Sequence, residues 1–186
     1  MDISLLNLQL LQRLADYAEV CSESKIGGLG MAIATTLRAF LESHKLAYEV
    51  VRHEHAETSQ RTASAAGQPG DKVAKSVLLK DEEGYLLAVL PASYRVHLGD
   101  LHRSLRRQVG LATEREVASL FSDCEIGAIP PTGLLYDVDA VVDDALLAQP
   151  DVYFEAGDHE QLIHMTRQDF ARLLGDSAHS WFNRQV

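Results

Sequence analysis

Two apolar runs separated by a short polar turn constrain the fold of this chain more than any other feature. Val73–Leu79 reads VAKSVLL and Tyr85–Leu90 reads YLLAVL, and Asp81–Gly84 lies between them. Segments of this length that are rich in Val and Leu and bounded by Asp, Glu and Gly are typical of strands joined by a tight turn. The pattern therefore predicts a hairpin of two largely apolar strands.

One lysine interrupts the first of these strands. Because side chains alternate along a strand, Lys75 lies on the same face as Val73 and Val77, which should pack against the core. A buried cation is costly unless it lines a cavity or has a partner. Lys75 is therefore a candidate functional residue, and a lysine that reaches solvent from a strand edge is the simpler alternative.

Hydrophobic periodicity and capping residues predict the other elements. Helices are expected at 35–44, from a cap at Thr58 or Ser59 to a point before Gly67, at 98–107, after the Thr113/Glu116 capping box, and from Arg167 with the cap pair Thr166 and Asp169. Strands are expected at 47–52, 134–142, 152–155 and 161–165. Together with the hairpin, these elements predict an α+β fold in which helices lie outside a mixed sheet.

The first thirty residues differ from the rest. Leu5–Val20 has the spacing of an amphipathic helix, and residues 22–30 contain three glycines and read as a linker. Met31 then opens a segment that looks like a natural start. We therefore expect an N-terminal helical extension and linker at 1–30 and one domain at 31–186; a translation start assigned too early is the alternative for the extension.

The chain has no pattern that directs it to a membrane. No apolar run approaches the roughly 18 residues of a membrane span, and Asp2 stands where a signal peptide would carry positive charge. Cys21 and Cys124 are far apart and match neither a disulfide framework nor a CxxC pattern. These features predict a cytoplasmic protein.

The net charge of −10 opposes nucleic-acid binding in general, because Lys and Arg contacts to phosphate supply most nonspecific affinity. The charge is unevenly distributed, however. Residues 31–110 contain eleven Lys and Arg against nine Asp and Glu, whereas residues 111–186 contain four against fourteen. A polyanion should therefore meet the first half, around Lys72, Lys75, Lys80, Arg103, Arg106 and Arg107. A solvated acidic face unrelated to binding is an equally good interpretation of the C-terminal part.

The segment GAIPPTG at 127–133 is a rigid Gly/Pro turn. Such a turn can present backbone N–H groups to a carbonyl or an oxyanion, although turns of this kind are common. Neither this turn nor Lys75 alone indicates a particular function.

Together and in order, the motifs resemble the family of YbaK and the prolyl-tRNA synthetase insertion domain. The family's strand carries an invariant lysine followed by a small polar residue and an aliphatic run, as KSVLL does at 75–79. LAVLP, the capped helix TEREVASL and a GxxP loop, GAIP at 127–130, follow in the family's order. The resemblance covers about residues 33–174 and implies a mixed, partly barrel-like sheet surrounded by helices.

The resemblance implies hydrolysis of the ester that joins a wrong amino acid to tRNA, with Cys or Ala on tRNA(Pro) as the expected substrates. It implies that Lys75 holds the terminal nucleotide or the aminoacyl group electrostatically, and that the amides around Gly127 and Ala128 fix the ester carbonyl. Lys75 and the backbone of the GAIP loop should then face the same cleft. A metal or other cofactor is not implied, and no HExxH or H-x-E…C-x-x-C spacing occurs. Mischarged tRNA is the implied partner, with prolyl-tRNA synthetase as a second.

The resemblance also suggests residues that contact the substrate. They are His53, Ser76, Ala128, Ile129, Pro130, Asp143, Gly157 and His159. Ser76 stands where alanine-specific relatives tend to have Asn and cysteine-specific relatives Thr, which weakly favours the latter. The alternatives are a surface histidine at a strand end for His53, a turn cap for Asp143 and a surface loop for His159.

Two other interpretations compete with this one. Cys124 lies close to the GAIPPTG turn, but no motif ties a His or Asp to it, so we expect packing rather than nucleophilic catalysis. A binding module that kept the fold but lost hydrolysis, serving as a sensor or a synthetase adaptor, would share the same motifs.

Overall fold

The computed structural model describes residues 33–185. The strands are β1 (Glu49–Arg52), β2 (Val73–Asp81), β3 (Gly84–Pro91), β4 (Tyr94–Val96), β5 (Gly110–Leu111), β6 (Asp139–Asp143), β7 (Asp151–Glu155), β8 (Gln161–Thr166), β9 (Ala178–Ser180) and β10 (Asn183–Gln185). The helices are α1 (Thr35–Ser43), α2 (Ser59–Ala65), α3 (Leu98–Leu105), α4 (Glu114–Leu120), α5 (Asp144–Leu147) and α6 (Arg167–Leu174), with a 3-10 helix at Leu134–Tyr136.

Eight of the strands form one mixed sheet in the order β1-β8-β7-β2-β3-β6-β9, with β5 also paired to β2. The β2–β7, β3–β6 and β6–β9 pairs are parallel, and the other pairs in this sheet are antiparallel. Strands β4 and β10 form a separate two-stranded ribbon. The predicted α+β fold, with a mixed sheet flanked by helices, is confirmed.

The predicted hairpin lies at the centre of the sheet. Strand β2 pairs with β3 from Ala74–Pro91 to Asp81–Gly84, and Asp81 Oδ1 closes the turn by accepting the N–H groups of Glu83 and Gly84. Residues 86–91 of β3 are all buried between β2 and β6. Because a central strand is covered on both faces, its sequence is a continuous apolar run rather than an alternating one.

The other edge of β2 is only partly paired. Val73 and Ala74 pair with β7, whereas Leu79 and Lys80 pair with β5. Within the described part of the chain, no strand pairs with residues 75–77 on this edge. The sheet therefore has a gap at Lys75.

Some predicted elements have different bounds in the structure. The strand expected at 134–142 begins at Asp139, because the N–H groups of Tyr136 and Val138 both bond the Gly133 carbonyl and fold the preceding residues into a turn. Helix α3 ends at Leu105 rather than 107, because Arg106 has a left-handed φ of 56°. Strands β4, β5, β9 and β10 and helix α5 were not predicted, since elements this short carry little periodic signal.

The helix and linker predicted within residues 1–30 lie outside the described residues. The division into an extension and a domain at residue 31 therefore stays a prediction. Across residues 33–185, none of the helices combines the length and hydropathy that a membrane crossing requires.

Candidate active site

A cavity of about 420 Å³ opens at the gap in the edge of β2. It is lined by Glu57, Thr58, Ser59, Gln60, Lys75, Ser76, Val77, Ala92, Arg95 and Gly127. These residues come from the start of α2, from β2, from β4 and the turn before it, and from the GAIPPTG turn. The fold thus brings Lys75 and Gly127 into one cavity, as the family resemblance implied. Their catalytic roles stay a prediction.

The ammonium group of Lys75 faces backbone carbonyl groups. Its Nζ donates hydrogen bonds to the carbonyl oxygens of Ala92, at 3.3 Å, and Tyr94. No carboxylate of residues 33–185 forms an ion pair with it. Burial lowers the pKa of Lys75, and the nearby charge of Arg95 lowers it further. Since an ammonium group has three donors, one N–H remains for a ligand.

The GAIPPTG turn is fastened to β2 and to the residues directly before it. Ser76 Oγ donates to the Pro130 carbonyl at 3.1 Å, and the Ala128 N–H donates to the Glu125 carbonyl at 3.0 Å. Ala128, Ile129 and Pro130 are buried and do not line the cavity. The contact predicted between the Ala128 amide and the ester carbonyl stays a prediction, and it requires the hydrogen bond to Glu125 to break first.

Gly127 is the part of the turn that faces the cavity. Its φ is +97°, and a Cβ at this position would lie 3.1 Å from Cε1 of His159. Both facts favour glycine, since other residues rarely adopt this φ and the added atom would press on a buried ring. Among residues 33–185, no acceptor engages the Gly127 N–H. Because Gly127 is the residue of this turn that lines the cavity, its amide is the candidate backbone donor for a ligand.

His159 supports the turn from below. It is 4% exposed, so the surface-loop interpretation is wrong, and its Nε2 bonds the Ile126 carbonyl at 2.9 Å. The ring does not line the cavity but contacts Gly127, which does. His159 is thus close to the cavity without being open to it.

Three other predicted contact residues lie away from the cavity. His53 bonds through Nδ1 to the Glu54 carbonyl at 2.8 Å. Asp143 is fully buried, caps α5 through the Ala145 N–H and binds the Phe182 N–H, which is the turn-cap alternative. Gly157 packs against Ala34, where a Cβ would lie 3.0 Å from that side chain. None of these three residues lines the cavity.

Arg95 is a lining residue that the sequence did not reveal. Its neighbours Tyr94 and Val96 pack against the core, so the alternation of β4 turns Arg95 to the opposite face. Arg184 is its cross-strand partner on β10. Recognising β4 as a strand would have identified the position, but three residues are too few for a periodic signal.

The predicted polyanion surface is largely neutralised. Four of its six cations bind carboxylates: Lys72 with Asp151, Lys80 with Glu116, Arg103 with Asp100, and Arg107 with Asp81. The surface around these six residues is therefore less positive than the sequence alone predicts, although Arg106 forms no ion pair within residues 33–185. Within the same residues, Lys75 and Arg95 form no ion pair either, and both place positive charge at the cavity.

Cys124 has the environment of an inert thiol. It is half-buried beside Asp123 and Tyr136, and burial raises its pKa to about 12. A thiol nucleophile needs a lowered pKa, which cationic neighbours provide and a carboxylate does not. The residues from 33 to 185 also contain no cluster of three or more His, Cys, Asp and Glu placed to hold a metal ion.

Comparisons with known proteins bear on the family of the chain. The family model of the aminoacyl-tRNA editing domain matches residues 53–173. A proposed trans-editing enzyme for prolyl tRNA synthetase shares 25% sequence identity at a TM-score of 0.73, over 84% of this chain and 99% of the other. No curated protein matches the chain.

Two further solved structures share the fold. The hypothetical protein APE2540 is 19% identical at a TM-score of 0.71, over 80% of this chain and 99% of the other. A proposed signal transduction protein from Marinobacter aquaeolei VT8 is 21% identical at a TM-score of 0.64, over 80% of this chain and 30% of the other. The match of the family model over most of the chain leads to one conclusion: the chain belongs to the aminoacyl-tRNA editing domain family.

Proposed function

We propose that this protein is an aminoacyl-tRNA deacylase that hydrolyses the ester of misacylated tRNA. The observation that carries the proposal is the meeting of Lys75 and the free Gly127 amide in one cavity. The volume of about 420 Å³ is in the usual range for small-molecule sites. It suits an aminoacyl group with part of the terminal ribose.

The geometry supports a mechanism based on electrostatics and position. An aminoacyl ester is already activated, so the site has to place a water molecule and stabilise the tetrahedral oxyanion. The water oxygen bonds to the ester carbon, the carbonyl oxygen becomes the oxyanion, and the bond to the ribose oxygen then breaks. The proton lost by water reaches that ribose oxygen by way of the neighbouring 2′-hydroxyl or a second water. Free amino acid and tRNA leave.

The two polar groups have separate tasks in this mechanism. The Gly127 N–H donates to the developing oxyanion. The remaining N–H of Lys75 holds the terminal nucleotide or the aminoacyl group. Lys75 acts as a fixed charge rather than a base, because the two carbonyl dipoles that face Nζ stabilise its charged form, and a lysine base would need a pKa lowered by several units.

Cys or Ala attached to tRNA(Pro) is the substrate that this proposal favours. The likeness to a proposed trans-editing enzyme for prolyl tRNA synthetase supports it, as does Ser76, whose hydroxyl lines the cavity. Arg95 and its cross-strand neighbour Arg184 provide the positive charge that phosphates of the acceptor end require. Prolyl-tRNA synthetase is the partner that would supply such a substrate.

One observation favours a non-catalytic binding module as the alternative. The Ala128 N–H is already bound within the turn, so the turn offers one backbone donor where a strong oxyanion site usually has two. Such a module would bind the same aminoacyl end without cleaving it, as a sensor or synthetase adaptor.

A panel of aminoacyl-tRNAs separates the two functions. Purified protein is incubated with tRNA(Pro) charged with Cys, Ala or Pro, and with cognate Cys-tRNA and Ala-tRNA, and loss of the ester is followed in single-turnover conditions. The proposal expects fast loss of Cys or Ala from tRNA(Pro) and slow loss of Pro. Saturable binding with ester loss at the uncatalysed rate would establish the binding module instead.

A further inference from the structure

A buried polar cluster lies beneath the cavity and is not part of its lining. Glu155, the last residue of β7, is 3% exposed, His159 is 4% exposed, and Thr62 of α2 is fully buried. Thr62 Oγ1 donates to Glu155 Oε1 at 2.7 Å, and His159 Nδ1 lies 3.9 Å from the same oxygen. Buried polar groups of this kind are retained only where they are satisfied or have a task.

The cluster contacts both walls of the cavity. Thr62 belongs to α2, and the residues at the start of that helix line one wall. On the other side, His159 Nε2 donates to the carbonyl of Ile126, directly before Gly127. A single carboxylate group, that of Glu155, therefore lies between the element that forms one wall and the turn that forms the other.

Two atoms of the cluster lack a partner. Glu155 Oε2 and His159 Nδ1 are buried with no hydrogen bond to any of residues 33–185. Because His159 Nε2 carries the proton that it donates to Ile126, Nδ1 of the neutral ring is an acceptor. At 3.9 Å from Glu155 Oε1, His159 Nδ1 is too far for a direct hydrogen bond. When Glu155 is ionised, its buried carboxylate therefore has the Thr62 hydroxyl as its one hydrogen-bond donor among residues 33–185.

We propose that Glu155 and His159 are a positioning pair, which holds the start of α2 and the turn at Gly127 at their working separation while Glu155 is protonated. For its effect on catalysis, the pair rests on the proposed function. Neither residue lines the cavity, so both act through Thr62, Ile126 and Gly127 rather than on the substrate.

The surroundings of Glu155 determine when its carboxyl group loses a proton. Burial raises the pKa of Glu155 to about 7, against the opposing effects of the Thr62 hydrogen bond and His159. Asp158 and Glu125 also face the pair and raise this pKa. The ring of His55 packs edge-on against His159 at 5.6 Å between centroids. Glu155 therefore loses its proton near neutral pH, and the two walls lose their alignment above that pH.

The first test needs no enzymatic activity. In NMR titrations of the full chain, the Gly127 amide should shift with the same midpoint, near pH 7, as the labelled Glu155 carboxyl group. In Glu155→Gln, which is isosteric and cannot ionise, this shift of Gly127 should disappear. A Gly127 amide that does not respond, or that titrates identically in Glu155→Gln, overturns the proposal.

The second test compares two threonine hydroxyls. Thr62→Val removes the hydroxyl that bonds Glu155, whereas Thr166→Val removes a hydroxyl that caps α6 and lies outside the cavity. Thr62→Val should lower kcat about tenfold to a hundredfold with a smaller change in KM, because misplacement of about 1 Å has effects of that order. Glu155→Gln should keep most of kcat and flatten its pH profile near neutrality.

Equal losses of kcat in the two Val variants, or an unchanged pH profile in Glu155→Gln, overturn the positioning pair while leaving the deacylase function intact. If the wild-type chain hydrolyses none of the aminoacyl-tRNAs, the proposed function is wrong. The NMR titration of Gly127 then decides, without an activity measurement, whether Glu155 and His159 position the turn.

Discussion

The two lysines of β2 occupy opposite kinds of environment. Lys75 faces a cavity, bonds only backbone carbonyl groups, and has a pKa that burial lowers. Lys80, on the same strand, binds Glu116 at 2.8 Å, and this hydrogen bond raises its pKa. Among residues 33–185, the partly buried Lys75 thus has no counter-ion, whereas the more exposed Lys80 is paired with Glu116.

The contrast teaches how to separate a functional charge from a structural one. A paired surface lysine contributes little to stability, and its charge is already compensated. A lysine held by carbonyl dipoles retains its charge for a ligand, which makes the ordinary-looking KSVLL segment a site. Each prediction that follows tests one side of this contrast.

The largest effect is expected from removing the Lys75 charge. Lys75→Met should lower single-turnover deacylation by about two to four powers of ten, the range seen when one preorganised electrostatic contact is lost. Its thermal midpoint should hold or rise, because a desolvated cation is replaced by an apolar side chain. Lys80→Met is the matched control and should keep full activity. Equal activity of the two variants would remove Lys75 from the mechanism.

The second effect concerns stability against pH at the cavity end. The pKa of Glu155 is raised in the folded chain to about 7 from 4.5, so the folded state holds a proton that the unfolded state has lost. Stability should therefore be full below pH 4.5 and fall as pH rises through 7, by up to about 3 kcal/mol. In urea unfolding, the stability of Glu155→Gln should not fall over this pH range. Glu160→Gln, which changes an exposed residue, is the control and should show the same fall as the wild type.

The third effect has the opposite sign and lies at the far end of β2. Hydrogen bonds from Lys80 and Arg107 lower the pKa of Glu116 and Asp81 to about 2. Stability from these pairs is present above the ordinary carboxyl pKa and is lost as pH falls through about 2. Glu116→Gln should reduce this acid sensitivity, and added salt should reduce it in the wild type, because exposed pairs are screened. Glu114→Gln, in the same helix, serves as the control for urea unfolding between pH 2 and 5.

The smallest effect is expected at Cys124. Cys124→Ala should leave deacylation unchanged, since burial raises the pKa of the thiol to about 12 and no cation offsets it. A large loss of activity with an unchanged thermal midpoint would instead show a thiol nucleophile.

Local chemistry made part of this structure predictable. The Thr113/Glu116 capping box and the caps at Thr58 and Thr166 occur as expected, because each depends on residues three positions apart. Lys75 was identifiable because alternation along one strand conflicts with its charge. In each case the deciding contacts lie within one element.

Contacts between distant elements were not predictable in the same way. The Glu155–His159 cluster needs α2, β7 and the turn before Gly127 to meet. Ala128 was expected as a donor, but its N–H is taken by Glu125, which depends on the detailed shape of the turn. The paired state of Arg107 likewise follows from the position of Asp81 across the fold.

The gap in the edge of β2 has a consequence for how this fold can change. Within residues 33–185, no strand pairs with residues 75–77 on that edge, because the pairing with β7 ends at Ala74 and the pairing with β5 begins at Leu79. Insertions or substitutions that extended both of these pairings by two residues would complete the hydrogen-bond ladder and close the cavity. Greater sheet regularity would thus be gained at the expense of the site. Variants selected for thermal resistance alone should therefore be examined for lengthening of β5 or β7.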